Sequence, residues 1–171
     1  MERSLFIHRL LVMIGISSSS SLMISSCSND EDQEEVEEIL TEEEMTYLIL
    51  KEKTSKNGSF LEGKILYVDT THENYSKLLS VGEFINDNDH YVLLLRKTDE
   101  ELLAFSNCCP HLGTSNRWSY SNGGFRCANH GNSYGTETGF VANCNSNNTS
   151  GNLKQYTTSL NKDILTVNFD S

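Results

Sequence analysis

Proline is almost missing from this chain: one in 171 residues, Pro110, set between Cys109 and His111. Proline-rich linkers and polyproline recognition segments are therefore excluded. Basic residues are also few, with 13 Lys and Arg against 24 Asp and Glu and a formal net charge of -11. They are scattered rather than gathered into the basic stripe that phosphate neutralisation requires, so no nucleic-acid partner is expected. Long apolar runs are lacking as well. The stretch at residues 10–16 is too short and its surroundings too serine-rich for a spanning helix. From residue 60 onward no segment keeps a 3.6-residue apolar period long enough to call a helix.

What is present falls into three parts. Arg3 and Arg9 precede the short apolar stretch, and small residues then lead to Ile24, Ser25, Ser26 and Cys27. That tetrad resembles the lipobox of bacterial lipoproteins. The resemblance implies a signal peptide over 1–26, lipidation of Cys27, and attachment to a bacterial membrane through the lipid anchor, facing the periplasm or cell surface, with the outer membrane favoured. A plain secretory signal that contains a cysteine is the other reading. Arg3 and Arg9 are not adjacent, so the twin-arginine signal for folded cofactor proteins is absent, and any cofactor would be inserted after export or by another route. Residues 30–44 then hold ten acids and no base. A run of that kind repels itself and buries nothing, so 27–46 is expected to be an acidic tether, extended or partly helical. It also resembles the surface-export signal of lipoproteins in some Bacteroidetes; a solvated spacer is the alternative.

Residues 45–171 carry thirteen acids against eleven bases, so the folded part is nearly neutral. From residue 47 short apolar runs alternate with Gly, Asn, Asp and Ser, the texture of a single all-β domain over 47–171. Strands are expected over 64–68, 91–97, 102–106, 125–127, 139–142, 154–160 and 164–169, with one short turn near 76–84. Thr98-Asp99-Glu100 and Asn161-Lys162-Asp163 suit antiparallel connections, and Asn122-Gly123-Gly124 permits positive φ ahead of the strand that enters Cys127.

The chemistry is concentrated in two short segments. Cys109-Pro110-His111-Leu112-Gly113 is followed, after a gap, by Cys127-Ala128-Asn129-His130-Gly131. Thiolates and neutral imidazoles both ligate iron and zinc, and the glycines allow tight turns that point amides at a buried inorganic group. A Cys-X-His segment followed by Cys-X-X-His, each with a glycine after its histidine, resembles the ligand signature of Rieske proteins. The likeness covers about 64–169.

That resemblance implies an all-β fold, a Rieske-like antiparallel β sandwich with a small cluster-binding subdomain. It also implies one [2Fe-2S] cluster held by Cys109 and Cys127 on one iron and by His111 and His130 on the other, with the histidines nearest solvent. Two neutral imidazoles in place of thiolates raise the potential, which spans about -150 to +300 mV in such centres. The implied role is electron transfer to or from an unknown redox protein. The chain is too short to add the second iron domain of Rieske oxygenases, so it is read as an electron-transfer component rather than a stand-alone catalyst. Other readings of the four residues are a zinc site, although zinc fingers usually group their cysteines apart from their histidines, and a Cys109 to Cys127 disulfide. Either would make a non-redox surface or binding lipoprotein on a Rieske-like scaffold.

The likeness is incomplete. Where high-potential members have an extra cysteine in each ligand loop, this chain has Thr114 and Asn129. Of the serine and tyrosine that donate to cluster sulfurs, only the tyrosine has a counterpart, Tyr134; Asn132 stands at the serine position. Fewer donors imply a potential in the lower half of the family range. The covering loop, 143–152, lacks the usual proline and is expected to be polar and flexible. With Cys27 and the two ligands set aside, Cys108 and Cys144 remain to pair across that loop or to stay as free thiols. Trp118, Tyr120, Phe125 and Tyr134 are read as packing residues, and His72 and His90 as ordinary loop residues.

Overall fold

The computed structural model describes residues 40–170. The signal segment, Cys27 and most of the acidic tether lie outside the described residues. The described chain begins with a helix, α1 (Glu42–Thr54), which runs across the position at 46/47 where the tether was expected to give way to the domain. Local chemistry accounts for the helix. Thr41 and Glu44 form a capping box, three glutamates occupy the first turn, and Lys51 and Lys53 sit in the last.

Ten strands follow: β1 (Ser59–Glu62), β2 (Ile65–Asp69), β3 (Phe84–Asp87), β4 (Val92–Arg96), β5 (Leu102–Ser106), β6 (Trp118–Ser121), β7 (Gly124–Cys127), β8 (Ser133–Gly135), β9 (Gln155–Asn161) and β10 (Ile164–Asn168). A 3-10 turn (Ser76–Leu79) precedes β3. Seven strands form an antiparallel sheet in the order β1-β2-β10-β9-β5-β4-β3, and β6, β7 and β8 form a separate three-stranded sheet. The large sheet curls on itself, because Leu66 and Val68 of β2 and Leu165 and Val167 of β10 share one core with Val92 and Leu94 of β4.

β4 explains how the two sheets come together. Val92 and Leu94 face the inside of the curl, while Leu93 and Leu95 face the layer that contains Phe125 of β7 and Tyr134 of β8. A strand buried on both faces needs a continuous apolar run rather than alternation, and Val92-Leu93-Leu94-Leu95 supplies it. The turns behave as their residues require. Asn122 and Gly123 have φ of 50° and 75°, the pair of positive values that a tight two-residue hairpin needs between β6 and β7. Lys162 reaches positive φ between β9 and β10.

Several expectations differ from the outcome. The stretch 139–142 is not a strand; Val141 makes only an isolated bridge to Asn152. Its backbone meets Asn152 at a single point, the Phe140 carbonyl accepting the Asn152 N–H at 2.8 Å and Ala142 donating to the Asn152 carbonyl at 2.9 Å. β1, β3, β6 and β8 were not foreseen, being four residues or fewer with weak apolar alternation.

A charged knot helps to fasten the helix. Lys51 Nζ lies 2.6 Å from both Asp69 Oδ2 and Asp163 Oδ2, and Tyr47 donates to Asp163 at 2.7 Å. Burial works to raise both carboxyls, but the hydrogen bonds from Lys51, helped by Thr71, outweigh it and hold them below the ordinary carboxylate value. Among the described residues no helix is long and apolar enough to cross a membrane.

Candidate metal centre

Two loops hold the four predicted donors, and they are built alike. The first leaves β5 and carries Cys109 and His111; the second leaves β7 directly after Cys127 and carries His130. In the first, Gly113 N–H donates to the Cys109 carbonyl at 2.8 Å and Cys109 N–H to Thr114 at 2.9 Å. In the second, Gly131 N–H donates to Cys127 and Cys127 N–H to Asn132, both at 2.9 Å. Each loop thus closes on its own cysteine, and each needs positive φ at the closing glycine, 71° at Gly113 and 79° at Gly131.

The closure sorts the donors by depth. Cys109 and Cys127 are 2 % and 1 % exposed, and both are free thiols. His111 is half-buried and His130 exposed, with their rings 4.7 Å apart in an edge-on arrangement. Burial pushes the Cys127 thiol up, and its neighbour Cys109, close enough for a hydrogen bond, adds to that, while the backbone N–H groups of Asn129 and His130 work the other way. A buried Cys127 thiol that disfavours losing its proton, with a second buried thiol beside it, is an arrangement a cation relieves. The donor set carries a second mark of a missing partner. Among the described residues, Nδ1 of His111 is buried without any hydrogen bond, although buried polar atoms are seldom left unpaired. No three His, Cys, Asp or Glu side chains among the described residues gather as ligands of a single ion; thiol is paired with thiol and imidazole with imidazole. A two-metal group taking two protein donors per metal fits that pairing.

The surrounding side chains hold the loops rather than supply chemistry. Phe125 is the hub, its ring meeting Phe84, Phe105, Trp118 and Tyr120 at centroid distances of 4.9 to 6.2 Å. Trp118 Nε1 donates to the Asn107 carbonyl at 2.7 Å, fixing the start of the first loop. Tyr134 is buried with its hydroxyl 3.7 Å from Cys109 Sγ and donates to the Asn148 carbonyl at 2.8 Å. Burial, then the contact with Cys109, pushes this phenol up to about 12.

The covering loop is not the loose polar lid that its composition implied. Asn145, Ser146 and Asn147 donate backbone N–H bonds to the carbonyls of Cys109, Pro110 and His111 at 3.3, 2.7 and 3.1 Å. Asn145 and Asn147 take φ of 54° and 59°, a conformation asparagine tolerates better than most residues. Cys108 and Cys144 are joined by a disulfide, with Cα atoms 5.4 Å apart. Backbone ladder and disulfide do here what a proline would do by stiffness. Away from the centre, His90 Nδ1 lies 2.7 Å from the buried Asp87 carboxylate, which also accepts from Tyr75. His72 Nδ1 accepts the Asn74 N–H.

A curled antiparallel sheet carrying a small three-stranded subdomain, with one Cys and one His on each of two glycine-closed loops, defines a class of iron-sulfur domain. The family model for the Rieske [2Fe-2S] domain matches residues 62–157, more than half of the chain, and the chain belongs to that family. Among solved structures it is similar to the cyanobacterial plasma membrane Rieske protein PetC3 from Synechocystis PCC 6803, at 20% identity over 49% of this chain and 82% of that one, with a TM-score of 0.36. No curated protein matches it.

Proposed function

We propose that the protein is a lipid-anchored, extracytoplasmic electron carrier, with one [2Fe-2S] cluster held by Cys109, Cys127, His111 and His130. The observation that carries this reading is the donor set: two buried free thiols beside two imidazoles, one with its inner nitrogen unpartnered. When bound, such a cluster supplies a reversible one-electron couple. The chain's part is to hold it: the thiols anchor the inner side, amides of Asn129 and His130 face the Cys127 sulfur, and Tyr134 sits against Cys109. The imidazoles lie on the outer side, where His130 is exposed, so electrons would pass through them.

The membrane assignment rests on Ile24-Ser25-Ser26-Cys27 and the acidic run after it. The domain would then be held near the bilayer by a short tether. The test is electron paramagnetic resonance and metal analysis on protein purified anaerobically. A rhombic signal that appears on dithionite reduction, with iron and labile sulfide in equal amounts, is expected. Zinc, or no metal after reconstitution, would overturn the reading. Mass spectrometry of the membrane-extracted protein should find a diacylated or triacylated Cys27.

A further inference from the structure

The segments that carry the proposed electron exit hold charge of nearly one sign. From residue 102 to residue 136 the chain has no Asp or Glu, and from 138 to 162 it again has none. Across 102–162 the charges are Glu137 alone against Arg117, Arg126, Lys154 and Lys162; Lys154 and Lys162 lie over the rings of Tyr156 and Tyr47, and the two arginines flank the ligand loops. In the rest of the folded part the balance is reversed, and residues 30–44 add ten acids. The single acid is occupied, since Glu137 pairs with Lys97 at 2.9 Å.

Both arginines stand beside the second ligand loop. The Arg117 carbonyl accepts the Ala128 N–H at 2.7 Å, which puts its residue next to Cys127. Arg126 Nε donates to the Gly131 carbonyl at 3.2 Å, and a side-chain carbon built on Gly131 would come within 2.9 Å of Arg126 Nη2. The guanidinium therefore lies over the residue that follows His130. Arg117, Arg126 and His130 are all exposed, as is Leu112 next to His111. The neighbouring β3–β4 turn meets this region through hydrogen bonds of Asn86 to Ser115 and of Asn107 to Asn86. Its acids are Asp87, buried against Tyr75 and His90, and Asp89, exposed.

We infer that the face around His111 and His130 is the docking surface of an acidic redox protein, with Arg117 and Arg126 as its fixed positive charges. This deepens the electron-transfer reading and rests on it. A chain with net charge -11 repels an acidic partner at long range. A positive face at the exit turns that repulsion into orientation: the partner approaches with its own acidic patch toward the cluster, and other approaches are disfavoured.

The test uses two redox-inert relaxation agents on the isotope-labelled, cluster-loaded protein: the hexacyanochromate(III) anion and the tris(ethylenediamine)chromium(III) cation. The anion should add relaxation to the Arg117 and Arg126 side-chain resonances and to Ser119 and Ser133, read as the difference from the same sample without the agent, and the cation should avoid them. Arg117→Gln should weaken the anion effect about twofold, and Arg126→Lys, which keeps the charge and gives up the fork, should retain it. Oxidation of the reduced protein by ferricyanide should slow on the order of tenfold from low to physiological ionic strength. Anion broadening centred on lysines elsewhere, or a ferricyanide rate that rises with salt, would overturn the docking surface. A paramagnetic resonance spectrum of the same sample tests the cluster separately, so a missing cluster and a missing docking face give different results.

Discussion

The inside of the curled sheet and the layer beneath the three-stranded sheet are both buried, but they are closed by different means. The first is completed mainly by aliphatic groups from several strands, among them Leu66, Leu94, Leu165 and Val167. The second includes Phe105, Phe125 and Tyr134, and with them Cys109 and Cys127, the two inner thiols of the candidate centre. One core is finished by the chain itself. The other uses as wall material two groups whose chemistry calls for a metal, and is roofed by loops that lean on backbone hydrogen bonds and a disulfide. The curled sheet should therefore be a stable base on its own, and the ligand layer should depend on what it binds.

The largest effect expected to separate the two comes from removing an inner thiol. Cys127→Ser should lower bound iron by at least about a hundredfold and abolish visible absorption. Strand-rich circular dichroism and slow hydrogen exchange in β2, β4 and β10 should persist. Iron assays and exchange on one sample decide it; loss of protection in β10 along with the iron would show that the two layers unfold as one unit. Next in size is Cys144→Ser. The disulfide spans 36 residues of sequence, and a bridge over such a loop is worth about 2–4 kcal/mol. Urea unfolding should show that loss, with fast exchange appearing first at Asn145, Ser146 and Asn147. Uniform acceleration across the sheet would mean that the disulfide supports the base as well.

The same division explains what the sequence disclosed. β4 and β5 were readable because each is apolar on both faces, the turn at Asn122 because Asn and Gly permit positive φ, and the turn at Lys162 because Asn161 and Asp163 flank it. The four residues of the candidate centre stood out because Cys-X-His and Cys-X-X-His, each with its glycine, put two good ligand pairs at chelating spacing. α1 was hidden by its charge: an acidic run that reads as tether continues into the helix, and only the Thr41 and Glu44 capping box, with Met45, Leu48 and Ile49 at helical spacing, marks the change. The covering loop was misjudged for another reason. Composition reports side chains, and that loop is held through its backbone. Arg126 carried no signal at all, since its partner is a main-chain carbonyl five residues away.

A smaller effect tests the base from its outer side. Lys51→Met leaves Asp69 and Asp163 facing each other without their shared cation, a cost of about 1–3 kcal/mol at neutral pH, between the values for exposed and buried pairs. Because both carboxyls are held below the usual value, their stabilising contribution is present above the unfolded carboxylate pKa and is lost as pH falls through the lower folded value. Wild type should therefore lose stability on acidification while the variant loses less, and the gap between them should narrow as pH falls below the ordinary carboxylate value, read by urea melts across a pH series. A gap that stays constant would assign the loss to packing of the lysine stem instead of to charge.

Tyr134→Phe should give the smallest change, and the one that probes the ligand layer most locally. The ring keeps its contact with Trp118, so packing is conserved and the change is confined to the hydroxyl, which touches Cys109 Sγ and the Asn148 carbonyl. The hydroxyl has one proton, which Asn148 accepts while Cys109 is a thiol; with Cys109 ionised as a ligand, that proton turned to its sulfur would favour the reduced, more negative state. Removing a donor worth about 1 kcal/mol should lower the one-electron potential by on the order of 40 mV. Protein-film voltammetry of variant and wild type would read this directly. An unchanged potential with faster exchange at Asn148 would show that the hydroxyl serves the covering loop alone, in which case the sulfur of Cys109 takes its stabilisation from elsewhere in the loop.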